Sequence, residues 1–538
     1  MTKKCCVLIL AATVLALGLR LPRLQQRPMH GDEAVHAVKF GKLLEQGVYE
    51  YDPNEYHGPT LNYFTLIPAW LTGARNLVRV SESTLRIVPV FFGACLILLL
   101  LLVARPLGTG ATVYAAILTA VSPAMVFYSR YYIQEMLLVY FTFGAIASGY
   151  RYSQTRKLAW ALLTGMFLGL MHATKETCVI AFGSMALALL LTLLMRGQRG
   201  SLRTAVKAVA PSHIAGGLAV GVIVSALFHS SFLTNPAGIL DSIRTYTTYL
   251  SRAGGNALHT HPWYYYLEML LYFRYGDGPL WTEALIVLLA AVGFAAAMTS
   301  KRISSADRLL VRFIAFYTIV MTIVYSAVPY KTPWCLLSFL HGMILLAGFG
   351  AAVLVKLVPN VLPRLIVLCL LFEASVHLTW QAYLSSYRYY ADSRNPYVYA
   401  HPTPEVFTVV QKVQEYADAS QDGRNMPIEV ICPGDDYWPL PWYLRGLKQV
   451  SWRNMVVDDA NAAPLIIASP EVEGALTTKL YTLLPVEKRQ MYLFLFDQPY
   501  YVWLRPGVKL SGFVRKDLWD SLQQRQAGAM QTQTPEKR

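Results

Sequence analysis

The chain has 538 residues, 55% of them hydrophobic and only 15% charged, with a mean hydropathy of +0.37. A water-soluble protein carries charge on about a quarter of its residues, so this composition excludes a soluble enzyme and implies a polytopic membrane protein. The formal net charge of +15 is spread through short segments between apolar runs, so no nucleic-acid partner is expected.

A hydrocarbon core about 30 Å thick needs about 20 apolar residues to cross as a helix. Eleven runs qualify in chain order: 7–21, 86–104, 111–128, 134–150, 158–171, 177–195, 212–229, 280–298, 310–328, 334–355 and 363–380. The run 61–73 is shorter and contains Pro68, and it reads as an interfacial or re-entrant piece. Arg20, Arg23 and Arg27 follow the first run with no small-residue cleavage site, so it reads as a retained span rather than a signal peptide.

Cytoplasmic loops of membrane proteins collect Lys and Arg. With the N-terminus (Lys3, Lys4) inside, the inner segments carry Arg105; Arg151, Arg156 and Lys157; Arg196, Arg199, Arg203 and Lys207; Lys301, Arg302, Arg308 and Arg312; and Lys356 and Arg364. Asp307 is the only acid among them. Eleven spans then put the C-terminus outside a cell membrane, after outer loops 22–85 and 230–279. Residues 1–380 form the membrane domain. Residues 381–515 form an extracytoplasmic α/β domain, with short buried strands predicted at Ile428–Ile431 and Leu465–Ala468. A helix is expected over 404–417, with Val406, Val409, Val410 and Val413 on one side. The segment 516–538 is polar, lacks apolar periodicity and is expected to be disordered. The seven cysteines show no C-x-x-C spacing, so no zinc ribbon or disulfide framework is indicated. There is no GxxxxGK[ST] loop, and ATP-driven pumping has no support.

The densest chemistry lies just after the first span, in Met29-His30-Gly31-Asp32-Glu33-Ala34-Val35-His36. Further acids, bases and imidazoles occur at His57; at Arg130 with Glu135; at His172, Lys175 and Glu176; at Arg244, Arg252, His259 and His261; and at Lys331. On this topology all of them face outward, and charge beside a bilayer needs a function or a partner. The aromatic groups Tyr246–Tyr249 and Trp263–Tyr266 read as interfacial belts. The segment 435–443 mixes acids with aromatics, which suits either a glycan or a packed turn.

In order and on one side, these motifs resemble those of GT-C class membrane glycosyltransferases of the family 39 type, the protein O-mannosyltransferases and lipid A aminoarabinose transferases. Gly31-Asp32-Glu33 resembles their first-loop carboxylate pair. His57-Gly58-Pro59-Thr60-Leu61 is similar to their HPPL or EKPPL segment, and Ser122-Pro123 through Glu135 is similar to a segment ending in a membrane-boundary acid. Lys331-Thr332-Pro333-Trp334 resembles a lysine-bearing turn before a late span. The nearest likeness is to a prokaryotic surface-glycosylation branch labelled flippase-associated, and the resemblance covers about residues 5–380.

The resemblance implies transfer of a sugar from a polyprenyl-phosphate-linked donor to a lipid, glycan or protein acceptor on the outer face. Asp32 is the expected base, taking the acceptor proton, and Glu33 orients the acceptor or holds the loop. Lys331, Arg130 and His57 are the expected cations for the departing phosphate, with Glu135, His36, Lys175 and Glu176 in support. No cofactor is required by this reading. A divalent metal on Asp32, His57 and Glu135 is left open, since it would suit a diphosphate donor. The alternatives are a lipid-linked glycan flippase or a non-catalytic glycan-binding membrane protein. Transporters favour repeated halves and broken midplane helices, which this sequence lacks.

The basic-loop alternation makes a direct prediction. Cysteines introduced at Gln198 and Ile303 should be shielded from impermeant thiol reagents in intact cells, and one at Ser420 should label. Labelling at Gln198 would invert the topology.

Overall fold

The computed structural model describes residues 3–54, 57–195, 210–253, 259–299, 307–457 and 461–532, with backbone alone at 249–253 and 529–532. Its main helices are α1 (Lys3–Arg20), α2 (Gly31–Gln46), α3 (Thr60–Leu71), α4 (Glu82–Leu99), α5 (Thr109–Val121), α6 (Pro123–Tyr128), α7 (Glu135–Thr155), α8 (Leu158–His172), α9 (Cys178–Leu194) and α10 (Pro211–His229). They continue with α11 (Ala237–Ala253), α12 (Ala284–Thr299), α13 (Arg308–Ala327), α14 (Leu337–Leu357), α15 (Val361–Tyr383), α16 (Val406–Ala419) and α17 (Lys516–Thr532). The apolar runs overlap helices of this series, with 111–128 divided between α5 and α6. Among the described residues, five stretches are long and apolar enough to cross a bilayer: Glu82–Leu102, Pro211–His229, Arg308–Ala327, Pro333–Leu357 and Val361–Arg388. Four further apolar helices are shorter: α5, α8, α9 and α12. The basic residues 196–209 and 301–306 lie outside the described residues.

The chain divides into two compact units, Met1–Leu24 with Lys42–Arg75 and Val80–Tyr399, and Gln25–Gly41 with Asn76–Arg79 and Ala400–Arg538. The first unit is helical. Lipid has no hydrophobic drive to push helices together, so close approach depends on small residues. Here α8 carries Gly165 and Gly169, and α10 carries Gly217 and Gly221, each pair four apart. A Cβ at Gly165 would stand 1.8 Å from the Gly217 carbonyl oxygen, and one at Gly169 would stand 2.4 Å from that of Gly221. Backbone therefore lies on backbone. The same device joins α12 to α14, where a Cβ at Gly293 would meet the Leu346 oxygen at 2.1 Å.

The second unit is an α/β fold with six strands, β1 (Ile428–Ile431), β2 (Val450–Arg453), β3 (Leu465–Ala468), β4 (Tyr492–Phe494), β5 (Tyr501–Arg505) and β6 (Val508–Arg515). The order is β2-β1-β3-β6-β4, with β5 also paired to β6. β1 runs parallel to both β2 and β3, in register Ile428 to Val450 and Ile428 to Leu465. β6 runs antiparallel to β3, β4 and β5. β1 and β3 are buried along their whole length, as parallel strands covered on both faces must be. Val406, Val409 and Val413 of α16 pack on one face with Ile428, Val430, Leu465 and Ile467. Leu476, Leu480 and Leu484 cover Ile431 and Ile466 on the other.

Two boundaries differ from the sequence reading. Residues 381–399 belong with the helical unit, and residues 25–41, which carry the Asp32-Glu33 pair, belong with the α/β unit. The segment expected to be disordered from 516 is helix α17 as far as Thr532. Leu518 and Leu522, one turn apart, are buried in the core shared with α16, and Trp519 packs against it.

The α8–α10 contact is open to test. Gly165→Leu should force the two backbones apart and destabilise the helical unit by at least about 1–3 kcal/mol, read as a lower melting temperature in detergent. The same change at Gly183, where a Cβ meets nothing within 4 Å, should be near neutral.

Candidate active site

In the helical unit four of the expected residues, His57, Glu135, Lys175 and Glu176, meet on the turn 173–177 between α8 and α9. The segment entering α3 lies directly against this turn. Thr60 donates its backbone N–H to the Ala173 oxygen at 3.2 Å, and the Thr60 and Thr174 hydroxyls are 2.8 Å apart. A Cβ at Gly58 would stand 2.2 Å from the Ala173 oxygen, so only glycine permits the approach.

The turn then presents two opposite charges to two different partners. Lys175 forms an ion pair with Glu135, the first residue of α7, and the two side chains are 6% and 3% exposed. A carboxylate in the first turn also gains from the helix dipole. The second oxygen of Glu135, Oε2, is buried with no hydrogen-bond partner among the described residues. Both charges act electrostatically on Cys335, four residues beyond Lys331. The next residue, Glu176, receives Nδ1 of His57 at 2.8 Å on one oxygen and the Tyr51 hydroxyl at 2.9 Å on the other. Burial opposes ionisation of Glu176, but His57, through its charge and its hydrogen bond, outweighs that together with Tyr51 and holds the carboxyl at about 2. The stability this contributes is complete above the ordinary value of 4.5 and is lost as pH falls toward 2. Against an ionised carboxylate, His57 Nδ1 must be the donor.

The expected cations Arg130 and Lys331 are engaged by backbone. Arg130 donates to the carbonyl oxygens of Arg20 at 2.6 Å, Pro22 at 2.7 Å and Arg23 at 3.2 Å, and its guanidinium lies over the Tyr387 ring at 4.6 Å. It thereby satisfies carbonyls at the end of α1. Arg20 does the same for α5, donating to the Thr119 and Ala120 oxygens at 2.8 Å each. Lys331 is 1% exposed. Its Nζ donates to the Val328 oxygen and, at 3.1 Å, to the His261 oxygen, and burial pushes its ammonium down. His259 and His261 reach the Tyr399 hydroxyl at 2.7 and 3.4 Å. Arg244 pairs with Asp241 on the surface, and the side chain of Arg252 lies outside the described residues.

In the α/β unit, α2 begins at Gly31, and the two acids of its first turn divide. Glu33 is fully buried, accepts the His30 backbone N–H at 3.1 Å and pairs with Arg27 at 3.3 Å. This is the acid's half of a capping box. His30 completes the cap with its ring, because Nδ1 accepts the Asp32 N–H at 3.0 Å. The Asp32 side chain is 52% exposed, and its charged neighbour among the described residues is His30 at 3.9 Å. His36 is buried further along α2. Trp438 packs on the start of the helix, 3.8 Å from where a Gly31 Cβ would stand.

The residues do not fit a metal site. Among the described residues no group of three His, Cys, Asp or Glu is close enough to hold an ion, and His57 and Glu135 each face an opposite charge. Sequence reasoning missed three contributors. Tyr51 carries no motif. Arg20 reads as a flanking charge. Glu283 reads as the edge of a span, yet it is buried, accepts from Ser122 at 2.5 Å, Ala124 N–H at 2.9 Å and Tyr397 at 2.8 Å, and so caps α6. An acid at a span's edge is the one signal that could have marked Glu283.

The fold is similar to that of solved proteins at low sequence identity. It is similar to ArnT from Cupriavidus metallidurans bound to undecaprenyl phosphate, with a TM-score of 0.61 and 14% identity over 95% of this chain and 97% of that one. It is similar also to the oligosaccharyltransferase AglB from Archaeoglobus fulgidus in complex with an inhibitory peptide and a dolichol-phosphate, with a TM-score of 0.54 and 12% identity over 93% and 72% of the two chains. Residues 64–228, from α3 to α10, match the family model described as dolichyl-phosphate-mannose-protein mannosyltransferase. No curated protein matches the sequence.

The buried Lys175–Glu135 pair makes a quantitative prediction. Lys175→Met leaves a buried carboxylate uncompensated and should cost about 3–5 kcal/mol of stability. Adding Glu135→Leu should recover most of the loss, measured by thermal unfolding of the single and double variants.

Proposed function

We propose that the protein is a glycosyltransferase that moves a sugar from a polyprenyl-phosphate donor to an acceptor hydroxyl on the outer face of the cytoplasmic membrane. The N-terminus is inside and the α/β unit outside. The reading is supported by the glycosyltransferase family match and by a fold shared with proteins whose structures hold undecaprenyl phosphate or dolichol-phosphate.

The observation that carries the assignment of the base is the division of labour between adjacent acids. Glu33 is committed to the helix cap and to Arg27, whereas the Asp32 carboxylate is half exposed. In the proposed reaction the acceptor oxygen attacks the anomeric carbon, its proton passes to Asp32, and the C–O bond to the lipid phosphate breaks. The phosphate leaves as an anion and needs preorganised cations. His57 suits that role, being a partly exposed ring on a buried carboxylate. Lys331 remains the second candidate. Arg130 is assigned to the end of α1, where backbone oxygens already occupy its donors.

Full-length protein in nanodiscs, supplied with polyprenyl-phosphate sugars, provides the test. Asp32→Asn should lower transfer by roughly 100-fold or more while the donor lipid still binds. Glu33→Gln should instead lower the melting temperature, because it weakens the cap and the Arg27 pair. Near-normal turnover of a folded Asp32→Asn protein would remove Asp32 as the base.

A further inference from the structure

Resting on the reading above, the geometry points to Glu176, braced by Tyr51, as a positioning residue that holds His57 as a cation for a phosphate monoester. A lysine ammonium is charged at neutral pH without assistance, whereas an imidazole needs an anionic partner to stay fully charged there. Glu176 is the carboxylate hydrogen-bonded to the His57 ring, at 2.8 Å. Its carboxylate is 5% exposed, while the His57 ring above it is 24% exposed. The pair is therefore buried at its negative end and accessible at its positive end.

The carboxylate is not shared with the adjacent cation, since Lys175 is committed to Glu135. Both oxygens of Glu176 are used, one by His57 and one by Tyr51, which fixes the plane of the carboxylate and with it the direction of the imidazole. The His57 backbone is held as well, because its carbonyl oxygen accepts from the Tyr49 hydroxyl at 3.2 Å and the following Gly58 is pressed on Ala173. Behind the carboxylate lie His172 of α8, Cys178 of α9, His229 of α10 and Tyr246 of α11. His172 bonds to Ser225 at 2.7 Å, His229 bonds to the Ser225 backbone oxygen at 3.0 Å, and Cys178 faces the Tyr246 hydroxyl at 3.7 Å. These groups have their own partners, and the ring hydrogen-bonded to Glu176 is that of His57. A charge built in this way, with one nitrogen consumed by an internal carboxylate, suits the dianionic head of a lipid phosphate. Such charge-assisted contacts are the strong ones.

The test is binding of undecaprenyl phosphate to the full-length protein in nanodiscs, with inorganic phosphate as competitor. His57→Ala and Glu176→Gln should each weaken lipid-phosphate binding by roughly 10-fold or more. The double variant should be no weaker than His57→Ala alone, because Glu176 acts through His57. His57→Lys should restore binding in the presence of Glu176→Gln, which a merely structural role for Glu176 would not allow. In 15N spectra of histidine-labelled protein the His57 imidazolium signature should be lost in Glu176→Gln. Tyr51→Phe, a milder change, should shift affinity in the same direction if Glu176→Gln fails to fold. Unchanged affinity in folded Glu176→Gln, or additive losses in the double variant, would overturn the inference even if sugar transfer is intact. Inorganic phosphate competing as well as the lipid would overturn the lipid headgroup as ligand. Wild-type binding with this pattern but no sugar transfer would leave the inference standing and sink the transferase reading.

Discussion

Two residues of opposite charge stand side by side in the buried turn between α8 and α9, and much of the helical unit is arranged around them. A charge taken out of water must find an opposite charge or hydrogen bonds, or the chain will not fold there. Lys175 and Glu176 do not neutralise each other. Each reaches to a different part of the chain, Lys175 to the first turn of α7 and Glu176 to the segment entering α3. The adjoining Thr177 extends the arrangement, since the Tyr325 hydroxyl of α13 bonds to it and to Ser338 of α14. Five consecutive residues thus set the mutual placement of helices that apolar packing alone would leave free to slide.

The same principle governs the arginines. Helix C-termini leave carbonyls without partners, and inside an apolar bundle water is a poor source of donors. Arg20 at the end of α1 supplies the end of α5, and Arg130 supplies the end of α1. Glu283 performs the converse service at the start of α6. A charged residue near a membrane surface therefore has two distinct uses, and only its partners tell them apart. Arg130 has carbonyl oxygens as partners and closes a helix. His57 has a buried carboxylate.

In the α/β unit the contrast lies between neighbours of one type. Asp32 and Glu33 differ by one methylene and one position in the first turn of α2. Glu33 stands where its carboxylate folds back to the His30 N–H, and the longer side chain also meets Arg27. Asp32 is one position too early for that bond, and its carboxylate, 3.9 Å from the His30 ring nitrogen, stays 52% exposed. The difference that commits one carboxylate to the cap and leaves the other exposed is the phase of the helix.

Read alone, the sequence determined a good deal. Apolar length marked the apolar helices, whereas α2, α11 and α17, polar along much of their length, carry no such run. The buried parallel strands β1 and β3 and the valine face of α16 were equally plain, since burial on a sheet leaves a local pattern. His57, Glu135, Lys175 and Glu176 were all visible as chemistry in turns. What only the tertiary structure decided was pairing: that Glu135 answers Lys175 and His57 answers Glu176, across 40 and 119 residues of sequence. It also decided that residues 25–41 group with 76–79 and 400–538, and that Leu518 and Leu522 of α17 join the core of α16. Spans and strands are written in nearest-neighbour periodicity. The partner of a buried charge depends on which helix ends the packing brings together, and no local pattern records that.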